Sequence, residues 1–337
     1  VEATRRELVR LTGGTLTATL LAWICADPAA AGQVTTGSRI GEEAVARIEK
    51  IVDKLRRRDD ADGGGTILQD SASALALARG LLEHGNATSA HRTRLWAAAS
   101  DLARQRAAAR FDVTGVCADR TFEGAMHFAD MAGDKALGAN ALSFWTVSAY
   151  NSGRLNDAEA MASAALAAVR GKTTPRVEAL LHTRRGRSRA HLQDARCWAD
   201  FDMAEHLLSS SPESKGGDPG WIYWFDRSEI LAARASSHRD MGQPGKAETL
   251  FVEAQALFPA TTVRTQALYL SRQADAQLTQ GHLEEACATA GTALDLTETI
   301  SSHRTTEPLL ELADRLNDHS LPEARDFCER VRVVLTA

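Results

Sequence analysis

Aromatic residues make up only 5% of the 337 positions, and proline occupies eight of them. Runs of alternating Val, Ile, Thr and Tyr, which a half-buried strand needs, are missing, and this excludes a sheet protein. Long stretches of Ala, Leu, Arg and Glu, rarely broken by proline, favour helix instead. Cysteine is sparse: Cys25, Cys117, Cys197, Cys287 and Cys328 are scattered and odd in number. No CxxC or paired-His spacing accompanies them, so they read as small core residues of a reducing compartment rather than zinc ligands. His182 and His191 lie nine apart on one expected helix, hence on opposite faces, and cannot share a metal. Charge of one sign is lacking too. The 39 basic and 44 acidic residues give a formal net charge of -5, and no field over the whole molecule favours nucleic acid or an anionic membrane. There is no GxSxG, no HExxH, no glycine-rich phosphate loop and no carboxylate pair suited to acid-base work, so no catalytic residue, cofactor or metal is assigned.

With 44% hydrophobic residues, the chain can bury an extensive core. Residues 1–38 form an arm. Within it, Arg5-Arg6 followed by the apolar stretch Leu11 to Ile24 and by Ala29-Ala30-Ala31 imitates a twin-arginine export signal. Gly13-Gly14 and several threonines interrupt that stretch. The alternative is a short amphipathic capping helix built on Leu8, Leu11, Leu16, Leu20 and Ile24. No later segment is long and apolar enough to span a membrane.

Residues 39–112 read as N-terminal helices. The first, Ile40 to Arg58, carries Ile40, Val45, Ile48, Ile51, Val52 and Leu55 on one face. It is expected to stop at Asp59-Asp60-Ala61-Asp62-Gly63-Gly64-Gly65, a polar loop rather than a metal site, because no bidentate Glu follows at calcium-loop spacing. Two helices follow, Ile67 to His84 and Thr88 to Arg110.

Over residues 113–300 the chain repeats itself. A small residue, an apolar residue four on and Ala three further recur at Ala118-Phe122-Ala125, Ala158-Ala162-Ala165, Cys197-Phe201-Ala204, Ala247-Phe251-Ala254 and Ala286-Ala290-Ala293. Their first positions stand 40, 39, 50 and 39 residues apart by subtraction. Residues three and four apart share a helix face, so each triplet marks one packing seam. Gly153, Gly242 and Gly281 stand five positions before three of the triplets. A recurrent period of this size marks a solenoid. The long step contains a Ser/Gly/Pro-rich insertion, 209–220, and residues 301–337 read as C-terminal capping helices.

These units resemble the tetratricopeptide repeat, whose second helix carries small, aromatic and small residues at that spacing after a Gly-polar turn. The nearest matches are Gly153-Arg154-Leu155-Asn156-Asp157-Ala158, Gly242-Gln243-Pro244-Gly245-Lys246-Ala247 and Gly281-His282-Leu283-Glu284-Glu285-Ala286. The 39-residue unit is longer than the 34 of that family. A narrower resemblance is carried by Arg5-Arg6-Glu7-Leu8, Leu55-Arg56-Arg57-Arg58-Asp59-Asp60, Ala132-Gly133-Asp134-Lys135-Ala136-Leu137, Val177-Glu178-Ala179-Leu180-Leu181-His182, Trp221-Ile222-Tyr223-Trp224-Phe225-Asp226 and Ala267-Leu268-Tyr269-Leu270. These are similar to the helical sensory region of actinobacterial helix-turn-helix transcriptional regulators that carry such repeats. The resemblance implies a cytoplasmic regulatory or adaptor role. In such proteins the DNA-binding domain comes first, and here it is either removed or lacking in this member, so direct nucleic-acid binding is not expected of this sequence.

The expected fold is all-α, an α-solenoid of tetratricopeptide-like antiparallel helix pairs with more than about two-thirds of residues helical. Two clusters are the candidate ligand- or partner-binding residues. Arg184, Arg185, Arg187 and Arg189 lie on the first helix of the third repeat, the position that lines the groove in tetratricopeptide proteins. They suit bidentate capture of carboxylate or phosphate, against the alternative of a face paired with acids of neighbouring repeats. Trp221, Tyr223 and Trp224 offer rigid apolar area with polar tips, against the alternative of an anchor for the inserted loop. The expected partner is a protein, a peptide or a small effector; no membrane is involved, and a homodimer stays open. The competing functions are an exported binding protein and an enzyme whose site is built within the helical array.

Overall fold

The computed structural model describes residues 39–210, 217–298, 300 and 302–335. The twin-arginine-like segment lies outside them. Among the described residues the chain is all-α, 81% helical with fourteen α-helices and no strand, above the two-thirds expected. No described helix is long and apolar enough to cross a membrane.

Three helices come first: α1 (Glu42–Asp62), α2 (Leu68–His84) and α3 (Ser89–Thr114). Next are α4 (Asp119–Met131), α5 (Lys135–Asn151), α6 (Leu155–Val169), α7 (Pro175–His191) and α8 (Cys197–Ser210). The remainder are α9 (Arg227–Asp240), α10 (Pro244–Leu257), α11 (Val263–Thr279), α12 (Leu283–Thr297), α13 (His303–Leu316) and α14 (Pro322–Leu335).

From α3 onward each odd-numbered helix packs along the even-numbered helix that follows it. The repeated triplets explain this. All fifteen positions are buried, with Phe122, Phe201 and Phe251 at 0% exposure. The small members let the helix axes approach, and each Phe fills the space between them.

The turns repeat as well. The amides of Asp134, Arg154, Asp194, Gln243 and His282 each bond to the carbonyl five residues back, at 2.8–3.0 Å. The residue before each of these has positive φ: Gly133, Gly153, Gln193, Gly242 and Gly281. This is the left-handed helix terminus that glycine adopts without strain. Gln193, at φ 58°, is the exception to glycine among the described residues, and its side-chain amide bonds to the carbonyl of Asp240, 3.0 Å away.

The odd-numbered helices α3, α5, α7, α9, α11 and α13 form an inner row in which each touches the next. The row returns on itself: α13 reaches α3, and α1 spans from α3 to α11. Closure rests on a buried polar latch. Arg264 of α11 meets Asp59 of α1 at 3.1 Å and Asp112 of α3 at 3.7 Å. Asp112 also accepts from Ser302 Oγ (2.7 Å) and from the amide of Gly64 (2.9 Å).

This latch explains where the expected boundary fails. The first helix runs through Asp62 instead of stopping at Arg58, because Asp59 and Asp60 are held from across the ring by Arg264 and Tyr223. Local composition signalled a loop, and tertiary partners override it. Gly63 then ends the helix, and Gly64 has no room for a side chain: a Cβ there would sit 2.8 Å from Asp112 Cβ.

Candidate functional site

The closed inner row surrounds a cavity of about 540 Å³. Inner-face side chains of α3, α5, α7, α9, α11 and α13 line it, with residues of α1 and of the segment preceding α9.

The arginine cluster divides between two faces of α7. Arg184 and Arg187, one turn apart, line the cavity. Arg185 and Arg189 turn away from it to Asp200 of α8, at 2.6 and 2.7 Å, and Arg189 adds Glu159 of α6 at 3.2 Å. His182 Nδ1 is 2.9 Å from the same Asp200 carboxylate. Burial opposes ionisation of Asp200, but the hydrogen bonds from His182 and Arg185 and the charges of Arg185 and Arg189 outweigh it and hold its carboxyl below the usual range. Arg185 and Arg189 therefore knit α6, α7 and α8 together.

The aromatic cluster opens with a single 3₁₀ turn, Gly220–Ile222, that leads into α9. All three of Trp221, Tyr223 and Trp224 line the cavity. Trp221 is almost wholly buried at 6% exposure. Tyr223 donates its hydroxyl to Asp60, and the Arg57 guanidinium lies 3.5 Å from its ring centre. Trp224 meets Phe144 edge-on at 6.0 Å and carries Arg184 over its face at 5.5 Å.

Eight arginines line the cavity, and pairing separates them into two groups. Arg56 and Arg104 share Asp101, Arg187 meets Asp240 at 2.8 Å, and Arg264 holds the latch. Arg57, Arg184, Arg272 and Arg304 have no carboxylate within 4.0 Å among the described residues. The Arg184 Nε is buried and has no hydrogen-bond partner. Arg272 donates to Ser236 Oγ at 3.1 Å and lies 5.5 Å from the Tyr269 ring centre. Burial, together with the charges of Arg239 and Arg187, pushes its pKa down to about 10.

Three carboxyls of the cavity wall, Asp60, Asp226 and Glu229, form no salt bridge among the described residues; Asp60 accepts from the Tyr223 hydroxyl and Asp226 from the amide of Ser228. Glu229 of α9 accepts from the Tyr269 hydroxyl at 3.3 Å. Burial pushes its pKa up to about 7; Arg184, Tyr269 and Arg264 pull against that, and Asp226 adds to it. The chamber thus combines unpaired guanidinium donors, aromatic walls and one carboxyl that titrates near neutrality, a set able to bind an anion and hold its apolar part.

Glu229, Arg272, Arg304, Arg57, Tyr150 and Tyr269 were not singled out from the sequence. Apart from Arg57, which sits in the run Arg56-Arg57-Arg58, they are isolated among ordinary neighbours. The usable signal was spacing: Tyr269 and Arg272 stand three apart on α11, as Arg184 and Arg187 do on α7. Compared with known proteins, the chain matches no family model and no curated sequence.

Proposed function

We propose that this chain is the effector-binding part of a regulatory protein. In this reading it is an α-solenoid of tetratricopeptide-like helix pairs whose ligand is a small molecule held in the central cavity. The repeated triplets, the repeated positive-φ turns and the nearest-neighbour packing support the repeat assignment. The observation that carries the functional reading is closure of the inner row around about 540 Å³, a volume within the range of small-molecule sites. A peptide or protein partner needs an open groove, and the contacts of α1 with α11 and of α13 with α3 occupy that opening. A cytoplasmic location, and action through a partner protein rather than by direct contact with nucleic acid, belong to the same proposal.

Native mass spectrometry of the purified full chain tests it. Retention of one small molecule per chain, lost on denaturation, supports the reading. Retention of peptide or protein alone overturns it. A second reading, an enzyme, is favoured by Glu229, whose near-neutral carboxyl next to a tyrosine hydroxyl suits acid-base chemistry. Conversion of the retained molecule during incubation distinguishes it.

A further inference from the structure

Four guanidinium groups in the cavity wall, those of Arg57, Arg184, Arg272 and Arg304, have no carboxylate within 4.0 Å among the described residues, and all but Arg57 are at least half-buried. A second cavity, about 510 Å³ between α9, α11 and α13, is lined by Arg239 and Arg315. Both are satisfied within the protein, Arg239 by Asp240 at 2.7 Å and Arg315 by Asp275. In the central cavity, by contrast, Arg272 has one serine hydroxyl and a tyrosine face, and Arg184 has a tryptophan face and a buried Nε without a partner. Leaving a sheltered guanidinium without a counter-charge destabilises the empty protein. Arg184 has the Glu229 carboxyl as a neighbour beyond salt-bridge range, whereas Arg272 has no acid near it; for Arg272 the arrangement makes physical sense when the counter-charge arrives with a ligand.

Resting on the small-effector reading, we infer that the cavity takes an organic oxyanion, a carboxylate or a phosphate ester, with its charged oxygens against Arg272 and Arg184. Its apolar part lies on the rings of Tyr150, Tyr269 and Trp224, all in the cavity wall. A guanidinium presents two parallel N–H groups that match the two oxygens of either head group. Aromatic rings lie close to the same charges: Arg272 stands 5.5 Å from the Tyr269 ring centre and Arg184 5.5 Å from that of Trp224. A planar apolar body next to the head group therefore meets aromatic surface immediately.

The test uses the full chain and four probes: benzoate, phenyl phosphate, inorganic phosphate and uncharged benzyl alcohol. Binding is read from tryptophan fluorescence, since Trp221 and Trp224 line the cavity, and from melting temperature. At least one of benzoate and phenyl phosphate should bind and raise the melting temperature, while benzyl alcohol should not. Tighter benzoate assigns a carboxylate, and tighter phenyl phosphate or inorganic phosphate assigns a phosphate. Arg272→Met should weaken the anion by about tenfold to a hundredfold, the range for a charge-assisted hydrogen bond. The empty R272M protein should melt above the wild type, because an uncompensated charge has been removed. Arg315→Met should leave probe binding unchanged. If R272M does not fold, Arg184→Gln and Arg272→Lys carry the comparison. The inference is overturned if benzyl alcohol binds as well as benzoate, if neither organic anion binds, or if R272M binds both as tightly as wild type. A retained neutral or cationic small molecule in the native mass spectrum would refute the oxyanion and leave the small-effector reading standing. A retained protein alone would refute that reading itself.

Discussion

Closure of the ring should depend on Arg264. Replacing it by Met keeps the volume and removes the charge, leaving Asp59 and Asp112 without their common partner. The two carboxylates differ in what remains to them. Asp112 keeps the hydroxyl of Ser302 and the amide of Gly64. Asp59 forms no other salt bridge among the described residues, and its side chain is only 13% exposed. Removing one member of a buried pair costs about 3–5 kcal/mol, and the bonds retained by Asp112 place R264M toward the lower end, about 3 kcal/mol. At about 2–4 °C per kcal/mol this is a fall of roughly 6 °C or more in melting temperature.

The same substitution has a pH signature. Burial already raises the Asp59 pKa, with Arg264 pulling it back down. Without Arg264 it rises further, and protonation then removes the unpaired charge. The deficit of R264M should therefore shrink as pH falls through the raised Asp59 pKa, and Asp59→Asn added to R264M should recover part of the loss at neutral pH. Thermal melts across pH, with hydrogen exchange of the α1 amides to localise the opening, measure both effects. An R264M protein that melts within about one degree of the wild type, or a deficit that grows on acidification, would refute the latch.

Three further outcomes follow from single side chains. Phe201→Ala should cost about 3–5 kcal/mol in chemical denaturation, since its ring is at 0% exposure on the α7–α8 seam. Gly242→Ala should cost about 1 kcal/mol through backbone strain alone, because its φ is +72° and nothing lies within 4 Å of the added Cβ. Glu229 should make the stability of the empty protein fall as pH rises from about 4.5 toward 7: its folded pKa lies above the unfolded value, so the folded state holds a proton there that the unfolded chain has lost. In Glu229→Gln that slope should disappear from the melting curve.

The repeat pattern was legible because it is local. A triplet such as Ala247-Phe251-Ala254 and a glycine at a fixed offset before it state within one helix which face is buried and where the preceding helix ends. The third unit shows the limit of that rule. Gln193 takes the left-handed turn position where its counterparts have glycine, and its amide ties the turn to Asp240 on α9, so the signal there is tertiary. The first helix overran its expected end for the same reason, since Asp59 and Asp60 answer to residues more than 160 positions away.

The candidate site was legible by halves, and the half that was missed shows what a single helix cannot reveal. Four arginines within six residues drew notice as a cluster, yet helical geometry sends Arg185 and Arg189 to Asp200 and sends Arg184 and Arg187 inward. Sequence density of charge therefore predicts little; what matters is whether each guanidinium meets a carboxylate after packing. Arg187 meets Asp240 from α9, while Arg184, on the same inner face, meets a tryptophan. Arg272 stands alone in its stretch of sequence and still becomes one of the two best-placed anion donors, because α9 offers it Ser236 and α11 itself offers the Tyr269 ring. These pairings join neighbouring helices, whereas Asp59, Asp112 and Arg264 come from three helices distant in sequence with no motif among them. Which guanidinium meets an acid is therefore set by the neighbouring helix it packs against, and that is information no single helix carries.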